Sequence, residues 1–281
     1  MTSAASGPVL ATDSFLTDNF LTDNPALYER AFPDTGRRNA RFVHDLVARF
    51  GDGPARTLLD VGAGTGRDAA RLIELGYRVR AVDISAEMVA YAREHHPGPD
   101  FEIGDMRTVR SPEPVDVVTC LGSTLLHLHD SAEIVTALTA FAHCLRPGGL
   151  VVLEMRSGAF LLTERGRREL LDVETVREID WAGTTYTART RLRLDLPEQL
   201  LRRERVWTRP GWAEEVRQHT AWRLLFPREL RHLLALSGLR TVALFDAPGP
   251  LTEPAWPGDG ALSGALDGDR LHVVARREEA L

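Results

Sequence analysis

The chain of 281 residues contains no lysine; all 34 of its basic residues are arginine. That absence removes every mechanism that runs through a Schiff-base amine. Cysteine is nearly as scarce. Cys120 and Cys144 sit among apolar neighbours and form no CxxC or Cys/His cluster, so they read as buried thiols and no metal site is expected. No apolar run is long enough to span a bilayer. The N-terminus lacks the basic stretch and apolar core of a secretory signal, which makes the cytoplasm the expected location. Nor is positive charge in excess. With 40 acidic residues the net charge is −6, so no global field draws in nucleic acid or an anionic lipid surface. What remains, 43% apolar and 26% charged, suits a globular protein of one large α/β domain with an insertion, or of two small domains.

Residues 1–24 read as an arm. Its first twelve residues are rich in Ala, Ser, Gly and Thr and are expected to be disordered. The duplicated stretch Phe15–Asn19 and Phe20–Asn24 is too short for a solenoid, and Asn24-Pro25 marks a helix start. Apolar spacing then predicts a helix over 41–50. Strands are predicted over 56–61, 78–82, 101–103, 115–121 and 150–154. Helices fill the intervals over 67–75, from Ser85 to about 95, and over 132–145, the last closed by Pro147-Gly148-Gly149. Strands alternating with helices imply a parallel, doubly wound sheet with right-handed crossovers.

The pattern changes after residue 156. Segments 184–196 and 199–207 alternate, with charge on one side, and read as antiparallel strands with one wet face. A helix over 227–237, strands over 239–245 and 271–275, and a Pro/Gly-rich loop over 247–264 follow. The expected organisation is a core over 25–156, a β-rich insertion over 157–222 that shapes a second-substrate pocket, and the rest of the core over 223–281. The expected fold is thus α/β, with seven strands in the main sheet, a C-terminal antiparallel hairpin and an insertion after the fifth strand.

The strongest motif is Asp60-Val61-Gly62-Ala63-Gly64-Thr65-Gly66. Its glycines permit a tight turn and let a ligand approach bare main chain. A dinucleotide site would read GxGxxG, with a diphosphate at the helix start. The GxGxG spacing and the carboxylate of Asp60 instead suit a cationic ligand, which counts against an NAD-dependent oxidoreductase. Asp83, at the end of the second strand, can accept both hydroxyls of a ribose; Ile84 and Met88 beside it are counted with the site. Gly104-Asp105-Met106 follows the third strand, where Asp105 can accept from an adenine amino group and Met106 can supply an apolar wall. Ligands of such sheets bind outside the carboxyl ends of the strands, so the three loops converge on one crevice.

These blocks, with Leu145-Arg146-Pro147-Gly148-Gly149, resemble those of the class I S-adenosylmethionine (SAM)-dependent methyltransferases. The likeness covers roughly 28–156 and 227–276, and it implies a Rossmann-like fold with SAM as cofactor. Within the family the chain is most similar to glycine N-methyltransferase and the amino-sugar N,N-dimethyltransferases. In Asp34-Thr35-Gly36-Arg37-Arg38-Asn39-Ala40, the resemblance implies that Arg38, with Arg37 a rival, holds the methionine carboxylate. Leu121 and Gly122 fall in the block over the methyl group, where an asparagine of the family is Ser123. Tyr28 matches tyrosines that close over the cofactor, and Arg156 matches an arginine that clamps a substrate carboxylate.

Methyl transfer needs alignment and exclusion of water more than charge stabilisation, because the leaving group is neutral. His127, after the fourth strand, is a candidate polar group near the methyl; ordering of its loop is the plainer alternative. Arg156, at the end of the fifth strand, would grip a carboxylate bidentately, or pair with a loop acid. His219 is either catalytic or a surface histidine. Trp181, Tyr186, Trp207, Trp212 and Trp222 form either an aromatic lid or the packed face of a sheet. Glu164–Arg168 reads as a solvated helix face. The expected activity is methylation of a small molecule, an amine or amino-acid-like acceptor, on nitrogen rather than oxygen, in specialised metabolism, with a carboxylate on the acceptor and a homodimer left open. Two rivals stay open: cyclisation of the aminocarboxypropyl chain of SAM, and a SAM-binding protein without chemistry.

Overall fold

Strand Thr57–Val61 (β1) is buried along almost its whole length, as befits a central parallel strand covered on both faces. The computed structural model describes residues 20–33, 38–171 and 173–278. The first copy of the duplicated stretch and Arg37 lie outside the described residues. Helices Pro25–Ala31 (α1) and Arg38–Phe50 (α2) precede β1. Helix Arg67–Glu74 (α3), strand Arg78–Asp83 (β2), helix Ala86–His95 (α4), strand Asp100–Ile103 (β3), strand Val115–Cys120 (β4), helix Ser131–Cys144 (α5) and strand Leu145–Arg156 (β5) follow. After helix Glu164–Leu170 (α6) come strands Thr175–Trp181 (β6), Thr184–Asp195 (β7), Leu200–Thr208 (β8) and Val216–Arg223 (β9). Helix Pro227–Leu236 (α7) and strands Leu239–Phe245 (β10) and Arg270–Arg277 (β11) close the chain.

Seven strands form one mixed sheet in the order β10-β11-β5-β4-β1-β2-β3. The pairs among β1 to β5 are parallel, and the β10–β11 hairpin adds antiparallel to β5. This is the Rossmann-like arrangement expected from the sequence. Apolar stripes at helical spacing cover both faces. Ile134, Leu138 and Phe141 of α5 pack with Leu230 and Leu234 of α7 on one side. Phe42 and Leu46 of α2, Leu72 of α3 and Val89 of α4 pack on the other. No helix among the described residues is long and apolar enough to cross a membrane.

Between β5 and α7 the chain builds a separate four-stranded antiparallel sheet, β6-β7-β8-β9. Two of these strands, β6 and β9, carry no clean alternation and escape the sequence pattern. Strand β5 also begins earlier than its apolar run suggests. Pro147 and Gly148 lie inside it, where the pairing with β4 shifts register between Val115 and Val117 and leaves room for the extra residues. The insertion's aromatic residues divide. Trp207 is buried, and Trp181, Tyr186 and Trp212 gather with Phe20 and Leu27 where α1 packs on the sheet, so these four form core rather than a lid. The side chain of Trp222 alone among the five borders the cavity described next.

Candidate active site

The three glycines of the first turn do different work. Gly62 (φ 76°) lies where a Cβ would come within 2.3 Å of the Thr124 methyl. Gly66 (φ 82°) lies where a Cβ would come within 2.6 Å of the Phe101 ring. Gly64 (φ 56°) faces open space, with nothing within 4 Å of the position of a Cβ. Of these three glycines, Gly64 is the one that faces open space. Gly66, counted with the ligand site in the sequence, packs against Phe101 and Ala92 and does not border the cavity.

Strand β2 ends beside that turn. Asp83 accepts the Gly64 N–H through Oδ2 at 2.8 Å and the Ser85 N–H through Oδ1 at 2.9 Å. Burial raises its pKa, and the N–H donors pull the other way. Asp60, at the end of β1, is 4% exposed and accepts a 2.7 Å bond from the Thr119 hydroxyl. Burial pushes its carboxyl up to about 7, so in the ligand-free site it is not the permanent anion that the sequence suggested.

A cavity of about 1640 Å³ opens over the carboxyl ends of β1, β2 and β4 and under the inner face of the insertion sheet. It exceeds the roughly 300–1,000 Å³ that one small ligand fills, so it has room for two. Tyr28, Arg38, Asp60, Gly62, Ala63, Gly64, Thr65, Asp83, Ile84, Met88, Gly104, Asp105, Met106, Leu121, Gly122, His127 and Arg156 all border it. Ile84 is 44% exposed, an apolar side chain left uncovered at the rim, with Met106 also on the wall. Asp105 is engaged already: Arg107 donates to both of its oxygens and bridges to Glu133, and this pairing lowers the Asp105 pKa. Its carboxylate stays ionised, but any ligand amino group shares it with a guanidinium.

Helix α1 is latched onto the glycine turn. Glu29 accepts from the Thr65 hydroxyl and pairs with Arg67 at 3.5 Å. Arg67 also donates to the Phe32 carbonyl and stands 5.9 Å from the Tyr28 ring. Tyr28 is thereby fixed on the cavity wall, and burial raises its phenol pKa.

On the other side of the cavity, Trp222 organises three polar groups. The Arg203 guanidinium lies 4.7 Å from its ring centroid, that of Arg156 5.5 Å, and the His127 ring 6.4 Å. His127 Nδ1 is buried without a hydrogen-bond partner. Burial, then the charges of Arg203 and His129, lower its pKa to about 4 and keep the ring neutral. Arg156 forms the anticipated pair with a loop acid, Asp269, at 2.7 Å. Its backbone N–H donates to the Ser123 hydroxyl at 3.0 Å, so Ser123 holds the end of β5 in place. Buried Glu154 accepts from the Gly122 N–H at 2.8 Å and pairs with Arg270 at 3.1 Å. His219 is exposed and stands away from the cavity, and α6 has only one buried residue, as a solvated helix should.

The sequence reading overlooked Glu29, Glu154, Arg177, Arg203 and Arg205. For Arg203 and Arg205 a signal existed. They fall at the same alternation as Leu201 and Trp207 on β8, so they share the inward face rather than the wet one.

Residues 58–149 match a family described as a methyltransferase domain. A dTDP-3-amino-3,6-dideoxy-α-D-glucopyranose N,N-dimethyltransferase of Streptomyces fradiae is 35% identical over 130 residues, 46% of this chain and 51% of that one. Glycine N-methyltransferase of Rattus norvegicus is 33% identical over 147 residues, 46% of this chain and 50% of that one. The chain thus spans about half the length of the curated relatives it matches. A solved sugar N-methyltransferase from Streptoalloteichus sp. ATCC 53650 superposes with a TM-score of 0.73 over 99% of this chain and all of its own, at 21% identity, a likeness of fold.

Proposed function

We propose that the protein transfers a methyl group from SAM to a small acceptor, an amine or amino-acid-like compound of specialised metabolism, a reading supported by the match of residues 58–149 to a methyltransferase domain. The observation that carries the reading is Asp83, fixed by two backbone N–H groups beside Gly64, the glycine of the first turn that faces open space.

The residues present fit a positively charged sulfur nucleoside. Asp83 keeps acceptor capacity for the ribose hydroxyls. Ile84 and Met106 supply apolar walls for the purine, and Asp105 an acceptor for its amino group. Asp60, once ionised, balances the ammonium, and Arg38 serves the carboxylate. When bound, SAM supplies an electrophilic methyl group on a cationic sulfur. Latched α1 and the insertion sheet cover this region and exclude water, and Tyr28 helps to close it.

His127 remains neutral near pH 7 and borders the cavity. It can accept a hydrogen bond from an acceptor N–H and so aim the lone pair of nitrogen. A group of such low pKa is a poor base for an alcohol, which favours nitrogen over oxygen. Arg156, charged and facing the cavity, holds the carboxylate of an amino-acid-like acceptor in exchange for Asp269. Isothermal calorimetry with SAM tests the reading: saturable heat that falls in Asp83→Ala is expected, and no heat with SAM or with its demethylated product would overturn it.

A further inference from the structure

The wall of the cavity facing the acceptor carries an unbalanced positive charge. Along the inner face of the insertion sheet, Leu194 opposite Leu201 is apolar, and Ala188 opposite Trp207 is apolar. Between them run Leu192 opposite Arg203 and Thr190 opposite Arg205, with Arg177 of β6 opposite Ala188. Arg177, Arg203 and Arg205 all border the cavity. A cationic band thus crosses the inward face between two apolar pairs, with the neutral Thr190, Gln218 and Thr220 beside it.

Three other partly buried arginines are paired with acids. Arg156 has Asp269 at 2.7 Å, Arg270 has Glu154 at 3.1 Å and Arg223 has Glu229 at 2.8 Å. Among the described residues no carboxylate lies within 4.0 Å of Arg177, Arg203 or Arg205. Their partners are neutral. Arg177 donates to the Ala31 carbonyl at 2.9 Å, Arg205 to the Thr190 hydroxyl at 2.9 Å, and Arg203 rests on Trp222. Arg205 is only 9% exposed. Burial, then repulsion from neighbouring arginines, brings Arg203 down to about 9 and Arg205 to about 10, the direction expected of cations held together without a counter-charge. Buried unpaired charge is costly, and a bound anion would relieve it.

We propose that Arg177, Arg203 and Arg205 form the anion-binding half of the acceptor site, and that the acceptor carries a group with at least two negative charges, of the phosphate or polycarboxylate kind. This rests on the reading of the cavity as a methyl-transfer site. A single carboxylate would leave most of the band uncompensated, whereas a multiply charged group matches it and suits the planar fork of each guanidinium. Asp60, Asp83 and Asp105 border the cavity from the main sheet, whereas Arg177, Arg203 and Arg205 border it from the insertion sheet. Arg203 shares Trp222 with His127, so an acceptor anchored on the band places its nucleophile beside the His127 ring.

Calorimetry on the full chain, saturated with SAM and at constant ionic strength, tests this with inorganic pyrophosphate, citrate and acetate as probes. Pyrophosphate or citrate should bind saturably and at least tenfold more tightly than acetate; whichever binds better separates a phosphorylated acceptor from a polycarboxylate. Arg203→Gln and Arg205→Gln should each weaken that binding tenfold or more and leave SAM affinity within twofold. Arg203→Lys, which keeps charge without the fork, should weaken it less, and it serves if a glutamine variant fails to fold. The proposal is overturned if SAM binds but neither polyanion does, if the polyanion competes with SAM, or if the variants bind it like the parent. A chain that binds neither SAM nor a polyanion would instead remove the methyltransferase reading, and this one with it.

Discussion

The Asp83 carboxylate accepts a 2.8 Å hydrogen bond from the N–H of Gly64, joining the end of the second strand to the turn after the first. With the Ser85 N–H on its other oxygen, the side chain is set in place before any ligand arrives. Preorganisation of this kind reduces what binding must spend on ordering.

Asp83→Ala should therefore weaken SAM binding by about 1–3 kcal/mol, the scale of lost charge-assisted hydrogen bonds. Calorimetry reads the affinity, and far-ultraviolet circular dichroism checks that the fold persists. Unchanged affinity would remove Asp83 from the ribose site.

Gly62 and Gly64 should respond differently to alanine. Both have positive φ, which costs an L-residue roughly 1–2 kcal/mol. Gly62→Ala adds a collision with Thr124 and should lower the melting temperature further than Gly64→Ala. Gly64→Ala fills the space that faces the ligand, and its larger effect should be on SAM affinity. A reversed order in thermal melts and titrations would contradict the assignment.

Asp60 makes ligand-free stability depend on pH. Its folded pKa of about 7 lies above the ordinary value of 3.8, so the folded state holds its proton longer than the unfolded chain. Stability from this group is complete below the unfolded value. It falls by roughly 1.4 kcal/mol for each pH unit above that value and is fully lost once pH has risen through about 7. Asp60→Asn should remove that loss, so its melting temperature should gain on the parent between about pH 5 and 7. SAM affinity of the parent should rise over the same window, as the carboxyl ionises to meet the ammonium. A melting-temperature difference that is flat with pH would show that the carboxyl titrates normally.

Arg156→Gln should raise the KM for a carboxylate-bearing acceptor and leave the SAM Kd unchanged, since its guanidinium faces the acceptor side. A loss of SAM affinity instead would place Arg156 with the cofactor.

That the strand-end loops border one cavity was legible because their arrangement follows from strand order. Asp60, Asp83 and Asp105 each close a strand, and strand order alone brings such ends together. The same logic found the seven-stranded sheet. The acceptor half was not legible. Strands β6 and β9 lack clean alternation, and Arg203 and Arg205 resemble solvated charges until β8 is paired and its inward face is known. Glu29 and Thr65 are likewise 36 residues apart, and only packing of α1 joins them. Gly66 was misread for the opposite reason: a motif glycine that looks open in sequence is filled in space by Phe101.

The most direct test is to incubate the pure protein with SAM, with and without a pool of amines and amino acids that includes phosphorylated and polycarboxylate members, and to identify the nucleoside formed. S-adenosylhomocysteine that appears only when an acceptor is present is the predicted result. Methylthioadenosine released without any acceptor would contradict methyl transfer and point to cyclisation of the cofactor's own side chain.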